Sequence, residues 1–285
     1  WSWRSKRGST LKVKLWGTRA QVPTPHPNTQ IHGGNTVCLE VQVEGTHTLI
    51  LDAGMGLHWL GNDLLKGDFG RGQGRAHILL THVHWDHIQG IPFFIPMLIP
   101  GNHVTIYGPD TALPSQLRTQ MDTTFCPVPN FFLEGIGADV VVEDVEASDF
   151  SIGTAKIKTA LINHQAGITC LGFRIEANGR SIAYLPDVEY LQEAHRQQVI
   201  DLIAGVDLLF HDAMLTSEEY PKHRGRGHCS IDDGIDIAVR AKVGRLVLFS
   251  HHPDRSDTEI DTILAACSGN GVAVDAGREG TEYAL

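Results

Sequence analysis

Thr81-His82-Val83-His84-Trp85-Asp86-His87 follows directly on the apolar stretch Ile78 to Leu80. Three imidazoles and a carboxylate fall within six consecutive positions. Histidine nitrogen and carboxylate oxygen are the usual ligands of zinc and similar ions, and a tight loop at a strand end can direct several of them toward one point. Solvated surface histidines are the alternative, but so many titratable groups beside an apolar strand would be poorly placed without a metal. The stretch therefore predicts a metal site.

Short apolar runs rich in Val, Leu and Thr predict strands in both halves of the chain. The predicted strands are Leu11 to Trp16, Thr36 to Val43, Thr48 to Leu51, Ile78 to Leu80, Ala155 to Ile162, Leu171 to Ile175, Ser181 to Leu185, Val206 to Phe210 and Arg245 to Phe249. Helices are predicted over Tyr190 to Ala204, after an N-cap at Ser230, and over Thr258 to Ala266. The pattern favours an α/β (α+β) fold, a four-layer αβ/βα sandwich, with one domain over residues 11–285 and a terminal extension over residues 1–10.

Composition limits the function classes. The net charge of -10 should repel a polyphosphate backbone unless a local basic patch offsets it, so long nucleic acid is a disfavoured partner. The five cysteines show no paired spacing, which favours a reducing compartment and a cytoplasmic location. The longest apolar stretch, Ile91 to Ile99, contains two prolines and is far shorter than the roughly 20 residues of a membrane span, so no membrane partner is expected. A homodimer is left open.

The motif at residues 82–87 resembles the signature of the metallo-β-lactamase superfamily, His-x-His-x-Asp-His at a strand end, and the likeness runs from about Leu15 to His252. The resemblance implies the metallo-β-lactamase fold and two divalent metal ions, with zinc preferred over manganese or iron. By the same resemblance the metal ligands are His82, His84 and His164 for one ion, Asp86, His87 and His251 for the other, and Asp187 as the bridge between them. His252 adjoins His251, so the pattern does not decide which of the two binds.

Two further stretches resemble motifs of ribonuclease Z. In residues 205–213 the sequence His211-Asp212-Ala213 resembles a His-Glu-Ala-Thr motif with Asp212 in place of Glu, and Gly227-His228-Cys229-Ser230 resembles a Gly-His-Ser-Thr motif. The resemblance implies that His228 lies beside the scissile phosphate as proton donor or phosphate ligand, oriented by Asp212. A surface histidine near a helix cap is the alternative. The Asp at 187, where some zinc β-lactamases use Cys, and His84, where diiron relatives carry Glu, argue against those two branches.

The sequence thus predicts a metal-dependent hydrolase that cleaves a small (cyclic) phosphodiester with a hydroxide held between two metals, Asp86 also orienting the nucleophile. Only 22 residues separate His164 from Asp187, too few for the protruding arm with which ribonuclease Z grips transfer RNA. One alternative is a hydrolase of carbonyl substrates, such as a lactonase, a thioesterase or a β-lactamase-like enzyme. A non-catalytic metal-binding or ligand-binding protein is the other.

Two positions outside the motifs are secondary candidates. Asp52, after the strand Thr48 to Leu51, resembles a family position that braces the metal loop, and an ordinary turn aspartate is the alternative. His32 could line the mouth of the pocket, or belong to a simple glycine turn with Gly33 and Gly34.

Overall fold

The computed structural model describes residues 11–109, 113–120, 137–145 and 147–285. The terminal extension predicted over residues 1–10 lies outside the described residues. Within these ranges the chain forms two seven-stranded mixed sheets.

The first sheet is built from the first half of the chain and the last strand. Its strands, in spatial order, are β14 (Glu282–Ala284), β1 (Leu11–Gly17), β2 (Cys38–Val43), β3 (Thr48–Leu51), β4 (Arg75–Leu79), β5 (His103–Gly108) and β6 (Asp139–Asp144). The β14–β1–β2–β3 pairs are antiparallel and the pairs from β3 to β6 are parallel. The strand β1 alternates buried and half-buried residues, as expected for a strand packed on a core through one face.

The second sheet comes from the second half of the chain. Its strands, in spatial order, are β13 (Ala273–Ala276), β12 (Arg245–Phe249), β11 (Leu208–Asp212), β10 (Arg180–Leu185), β9 (Cys170–Ala177), β8 (Ala155–Ile162) and β7 (Asp149–Ile152). The pairs from β10 to β13 are parallel, whereas β7, β8, β9 and β10 are joined antiparallel. Since β8 is antiparallel to β9 and β9 to β10, the carboxyl ends of β8, β10, β11 and β12 lie along one edge.

Helices cover the outer faces of both sheets. They are α1 (Gly56–Leu64), α2 (Trp85–Ile88), α3 (Leu113–Gln120), α4 (Glu193–Ile203), α5 (Tyr220–His223), α6 (Ile231–Arg240) and α7 (Asp257–Ala266). Short 3₁₀ turns span Pro27–Thr29, Asp68–Arg71, Ile91–Phe93 and Ile95–Leu98. As predicted, Ser230 caps α6, accepting a hydrogen bond from the Asp233 amide.

Three buried apolar clusters fill the three spaces between four layers. One lies between the sheets and includes Leu15, Leu51, Phe173 and Phe210, which come from both halves of the chain. The second packs β8 to β12 against α4 and α6, and the third packs β2 to β5 against α1 and its neighbours. The predicted four-layer αβ/βα sandwich is confirmed.

Strand boundaries differ from the predictions mainly near the predicted site. The strand predicted over Val206 to Phe210 runs instead from Leu208 to Asp212, so Asp212 is a fully buried last residue of β11 rather than a loop residue. The strands β6, β7, β13 and β14 carry too many charged or exposed residues to stand out as apolar runs. The strand β5 alternates half-buried and buried residues and so has no continuous apolar run either. None of the helices in the described ranges has the length and apolarity needed to cross a membrane.

Candidate functional site

Three of the predicted ligands meet at one point. Nε2 of His82 lies 2.9 Å from Nδ1 of His84, and Nε2 of His164 lies 3.1 Å from the same atom. His82 and His84 come from the loop after β4, whereas His164 follows β8. The two loops are joined by a hydrogen bond from the Leu171 amide to the Thr81 carbonyl.

The other ring nitrogens of two of these histidines are fixed by hydrogen bonds. Nδ1 of His164 lies 2.7 Å from the Gly227 carbonyl oxygen and must donate to it. The Thr81 hydroxyl donates its proton to Asp52, so its oxygen accepts from Nδ1 of His82 at 3.0 Å. Each Nε2 is thereby left with a free lone pair, which is how a neighbouring hydrogen bond prepares a histidine to bind a metal.

Burial keeps two of these rings neutral. Desolvation, together with the neighbouring His87, lowers the pKa of His82 well below its usual range. Desolvation and His164 lower the pKa of His84. A neutral imidazole is the form that coordinates a cation.

Asp187, just beyond β10, is the centre around which the other side chains gather. Its Oδ2 lies 3.8 Å from Nε2 of both His82 and His164, 3.4 Å from Nε2 of His87 and 3.9 Å from Nε2 of His228. The donor atoms of His82, His84, His164 and Asp187 all lie within 4.8 Å of one another. This set of three nitrogens and an oxygen matches a tetrahedral divalent metal site.

The surroundings of His87 give a second indication that these residues suit a metal ion. Its Nδ1 donates to Asp52 at 2.8 Å, which leaves Nε2 buried without a hydrogen-bond partner among the described residues. That nitrogen faces carboxylate oxygens of Asp187 at 3.4 Å and Asp86 at 3.5 Å. Burial lowers the pKa of His87, but Asp86, Asp52 and Asp187 outweigh burial and raise that pKa well above its usual range. The same negative potential would hold a divalent cation between these groups.

Asp86 is held by a residue distant in sequence. Its Oδ2 accepts a hydrogen bond of 2.7 Å from the backbone amide of Gln21, which lies in the loop after β1. Neither Asp86 nor His87 belongs to the four-residue donor group: His87 adjoins that group at Asp187, and Asp86 adjoins His87.

His251 and His252 have different surroundings. His251 is buried, with Nε2 3.1 Å from the Gly277 carbonyl oxygen, and burial and Arg19 lower its pKa to about 3. In the described part of the chain no hydrogen bond or ion pair joins it to Asp86, His87 or Asp187. His252 is half-buried, and its Nδ1 accepts from the Asp254 amide. The structure thus brings four of the predicted ligands, His82, His84, His87 and His164, around Asp187. It places Asp86 beside His87 and His251 beside Gly277.

The predicted pair His228 and Asp212 does form. Nδ1 of His228 lies 2.8 Å from Oδ2 of Asp212, and Nε2 points toward Asp187. Asp212 in turn accepts hydrogen bonds from the backbone amides of Val188 and Met214. Burial lowers the pKa of His228, but the carboxylates of Asp212 and Asp187 outweigh it and raise that pKa to about 9. Asp187, Asp212 and His228 also form a second group with donor atoms within 4.8 Å of one another.

Sequence reasoning missed several residues that support the site. Glu189, fully buried, accepts hydrogen bonds from the amides of Gly225 and Gly227 and from the Tyr220 hydroxyl. Tyr184 donates to Asp52 from the neighbouring sheet. No local motif marks these positions. Glu189 lies 36 and 38 residues from its two amide partners, so only the fold brings them together.

His32, considered as a pocket residue, is instead buried beneath the site. Its Nδ1 lies 3.0 Å from the Gly277 carbonyl oxygen, the same oxygen that His251 contacts, and its Nε2 lies 3.1 Å from Asp261. Asp52, considered as a brace, does contact both Thr81 and His87 of the metal loop.

Known proteins share this architecture. The family model described as "Beta-lactamase superfamily domain" matches residues 47–252. Ribonuclease BN of Citrobacter koseri is 24% identical, over 90% of this chain and 94% of that protein. The metallo-beta-lactamase fold protein YhfI of Bacillus subtilis is 18% identical with a TM-score of 0.73, over 97% of this chain and 100% of that one. A diphosphatase from the PhnP family is 17% identical with a TM-score of 0.68, over 96% and 97% of the two chains.

These structural likenesses show the fold, and the family match covers most of the chain, including the residues around Asp187. The fold implies binding of a divalent metal, and the donor set described above fits one. The chain belongs to the beta-lactamase superfamily and is one of its hydrolytic enzymes.

Proposed function

We propose that this protein is a dinuclear metal-dependent phosphodiesterase that cleaves a small (cyclic) phosphodiester. The observation that carries the proposal is the His228–Asp212 pair, whose imidazole lies 3.9 Å from the central carboxylate of Asp187. A charged donor beside the metal ligands suits a phosphate, which is anionic before and after the bond breaks. A neutral ester or lactone needs no such group in its ground state.

In this proposal His82, His84 and His164 hold one ion, Asp86, His87 and His251 hold the other, and Asp187 is shared. Zinc is preferred for both, because imidazole and carboxylate are its common ligands, and manganese or iron would tolerate the same set. Since Nε2 of His251 faces the Gly277 carbonyl oxygen, His251 would bind through Nδ1. When bound, the ions would lower the pKa of water and offset charge on the phosphate oxygens.

Side chains of the protein would then orient the attacking water and protonate the leaving oxygen. With one carboxylate oxygen fixed by the Gln21 amide, Asp86 is placed to orient the attacking water with the other. The attacking water loses one proton to solvent and its oxygen bonds to phosphorus as the bond from phosphorus to the leaving oxygen breaks. The leaving oxygen takes the proton from Nε2 of His228, which solvent then reprotonates. Asp212 stabilises the charged imidazole and fixes its orientation through Nδ1.

The proposal also includes a small substrate, a single domain and a cytoplasmic location. The 22-residue connection from His164 to Asp187 consists of β9, β10 and their turns, which leaves no room for an RNA-gripping arm there. The name of the ribonuclease relative favours chemistry at phosphorus. The core shared by both sheets supports a single domain over residues 11–285, and the four described cysteines, all free, are compatible with the cytoplasm.

A substrate panel tests the activity. The zinc-loaded protein and its His228→Ala variant would be assayed on bis(p-nitrophenyl) phosphate, a 2′,3′-cyclic nucleotide, p-nitrophenyl acetate and a lactone. We expect phosphodiester turnover by the wild type and a loss of about 10²- to 10⁴-fold in kcat for the variant, the usual worth of a general acid. Turnover of the acetate, if any, should change less than threefold.

His103→Gln is the matched control, because His103 is an exposed histidine at the start of β5, away from the carboxyl ends of the strands. It should retain full activity. Turnover of the lactone or acetate alone, or equal losses on esters and phosphodiesters in His228→Ala, would contradict the proposal.

A further inference from the structure

The segment that leads into His228 is unusually basic for this chain. Residues 221–227, here called the basic loop, contain Lys222, Arg224 and Arg226 and no acidic residue, although the chain has 33 acidic and only 23 basic residues. All three side chains are exposed. The charge of this loop is therefore opposite to that of the molecule as a whole.

The basic loop is fixed at the edge of the site. The carboxylate of Glu189 accepts hydrogen bonds of 2.6 Å from the Gly225 amide and 3.0 Å from the Gly227 amide. Glu189 is itself bound to Asn163, the residue before the candidate ligand His164. The Glu189 amide donates to the Asn163 carbonyl, and the Asn163 side-chain amide donates to the Glu189 carbonyl. The Gly227 carbonyl then receives the hydrogen bond from His164. One buried carboxylate thus fixes the loop against the candidate metal ligands.

The position of the cations follows from the chain's reach. Arg226 is two residues from His228, so their Cα atoms are at most roughly 7 Å apart at about 3.6 Å per residue. A long guanidinium side chain at that position can reach a group bound beside His228.

The three cations are also free to take an external anion. Within the residues that the structure describes, none of them makes a side-chain hydrogen bond or an ion pair. Two nearby acids are engaged elsewhere: Glu189 with backbone amides, and Glu219 with Arg255 and the Thr216 amide. An uncompensated cluster of arginine and lysine beside a phosphate site provides the charge and the forked donors that a phosphate group requires.

We propose that Lys222, Arg224 and Arg226 bind a second phosphate group of the substrate, adjacent to the phosphodiester that is cleaved. This inference rests on the proposed phosphodiesterase function and narrows it to substrates with two neighbouring phosphates. The second phosphate can belong to a small bisphosphorylated molecule or to the next nucleotide of an RNA, and the chemistry of recognition is the same for both.

Two chromogenic esters isolate the effect of the second phosphate. The p-nitrophenyl ester of thymidine 5′-phosphate and the same ester carrying a 3′-phosphate would be hydrolysed by zinc-loaded wild type and by the triple variant Lys222→Gln, Arg224→Gln, Arg226→Gln. We expect a wild-type KM about 10-fold lower for the 3′-phosphorylated ester, and no preference in the triple variant. The KM of the other ester should change less than twofold, and the preference should shrink in 0.5 M NaCl.

Lys156→Gln is the matched control, an exposed lysine near the start of β8, about 20 Å of strand from the His164 end. It should keep the wild-type preference. Equal KM ratios in the wild type and the triple variant would overturn the inference.

A binding measurement separates this inference from the activity on which it rests. If neither ester is cleaved, the phosphodiesterase proposal fails, and titration of adenosine 3′,5′-bisphosphate against adenosine 5′-phosphate still decides whether the basic loop selects a second phosphate. A tetranucleotide RNA titrated in parallel identifies the source. Weaker binding of the bisphosphate by the triple variant supports a small molecule, weaker binding of the RNA alone supports a nucleic acid, and no change in either overturns the inference.

Discussion

Nδ1 of His87 lies 2.8 Å from Oδ2 of Asp52, and both side chains are fully buried. The same oxygen accepts a hydrogen bond from the Tyr184 hydroxyl of the other sheet. Because a carboxylate can only accept, Nδ1 always carries a proton, so in the neutral ring that would bind a metal the lone pair is on Nε2, the nitrogen that faces Asp86 and Asp187. Asp52 thereby links the packing of the two sheets to the tautomer of a candidate metal ligand.

Replacing Asp52 with Asn tests this link. Asn removes the charge and one acceptor, and it tolerates the left-handed backbone of this position, where φ is 55°. We expect zinc affinity and kcat/KM each to fall about 10- to 100-fold, the usual effect of losing such a support, while the protein stays folded. Chelator competition measures the affinity, with Asp63→Asn as a surface control. Unchanged zinc affinity would show that His87 needs no support from Asp52.

The sequence predicts the positions of candidate ligands where they follow strongly apolar strands. Ile78 to Leu80 and Ser181 to Leu185 are almost continuously buried, so their ends, and the polar residues just beyond them, could be located from the sequence. The four-layer order followed from the alternation of such strands with helices. The pairing of Asp212 with His228 is predicted only through resemblance, since the two residues lie 16 positions apart.

The supporting contacts could not be predicted, for a physical reason. The amide of Gln21, the hydroxyl of Tyr184 and the carboxylate of Glu189 act on residues from 36 to 132 positions away. A backbone amide or a buried carboxylate has no sequence pattern of its own. Such contacts depend on how loops cross at the sheet edge, which hydrophobic periodicity does not specify.

Removal of zinc should lower the thermal stability of the protein, and this effect should depend on Asp187. A ligand that binds only the folded state at 100 times its Kd stabilises by about 2.7 kcal/mol, so zinc should raise the Tm of the wild type by several degrees. Asp187→Asn removes the carboxylate that lies within 3.9 Å of four histidines, and we expect less than a third of that rise. Scanning calorimetry with zinc and with EDTA measures both. Asp139→Asn, an exposed site, should behave as wild type, and a full zinc response in Asp187→Asn would refute the assigned role.

Glu219 should make stability depend on pH. Burial raises its pKa, but hydrogen bonds from Thr216 and the Arg255 guanidinium outweigh burial and lower the pKa to about 2, from 4.5 in the unfolded chain. A depressed pKa contributes stability that is present above about pH 4.5 and is lost as pH falls toward 2. Because Glu219 is partly exposed, Glu219→Gln should cost only about 1 kcal/mol at pH 7.

Urea unfolding of the metal-free protein between pH 7 and pH 3 measures this difference. It should shrink steadily below pH 5 as the wild-type carboxylate takes up a proton. Glu218→Gln, at the exposed neighbouring position, should show no cost at either pH. A cost for Glu219→Gln that stays constant from pH 7 to pH 3 would mean that packing, not charge, makes the contribution.

Alanine substitutions at two glycines of the basic loop distinguish the effect of backbone strain from the effect of displacing a candidate metal ligand. Gly225 and Gly227 both have positive φ, 84° and 92°, so an alanine at either position is strained by about 1–3 kcal/mol. A Cβ at Gly227 would lie 2.4 Å from Nδ1 of His164, whereas a Cβ at Gly225 would have no atom within 4 Å. Gly227→Ala must therefore displace His164 or the loop that holds it.

We expect both variants to lose stability in urea unfolding of the metal-free protein through the strain that they share, and Gly227→Ala to lose more because its Cβ displaces His164 or the loop. Gly227→Ala alone should lose zinc affinity and phosphodiester turnover, by about 100-fold or more, since it breaks the hydrogen bond that orients His164 toward His84. Gly225→Ala should keep both within threefold. Equal zinc affinity in the two variants would show that His164 is oriented without the Gly227 carbonyl. Another contact would then have to hold His164 beside His82 and His84.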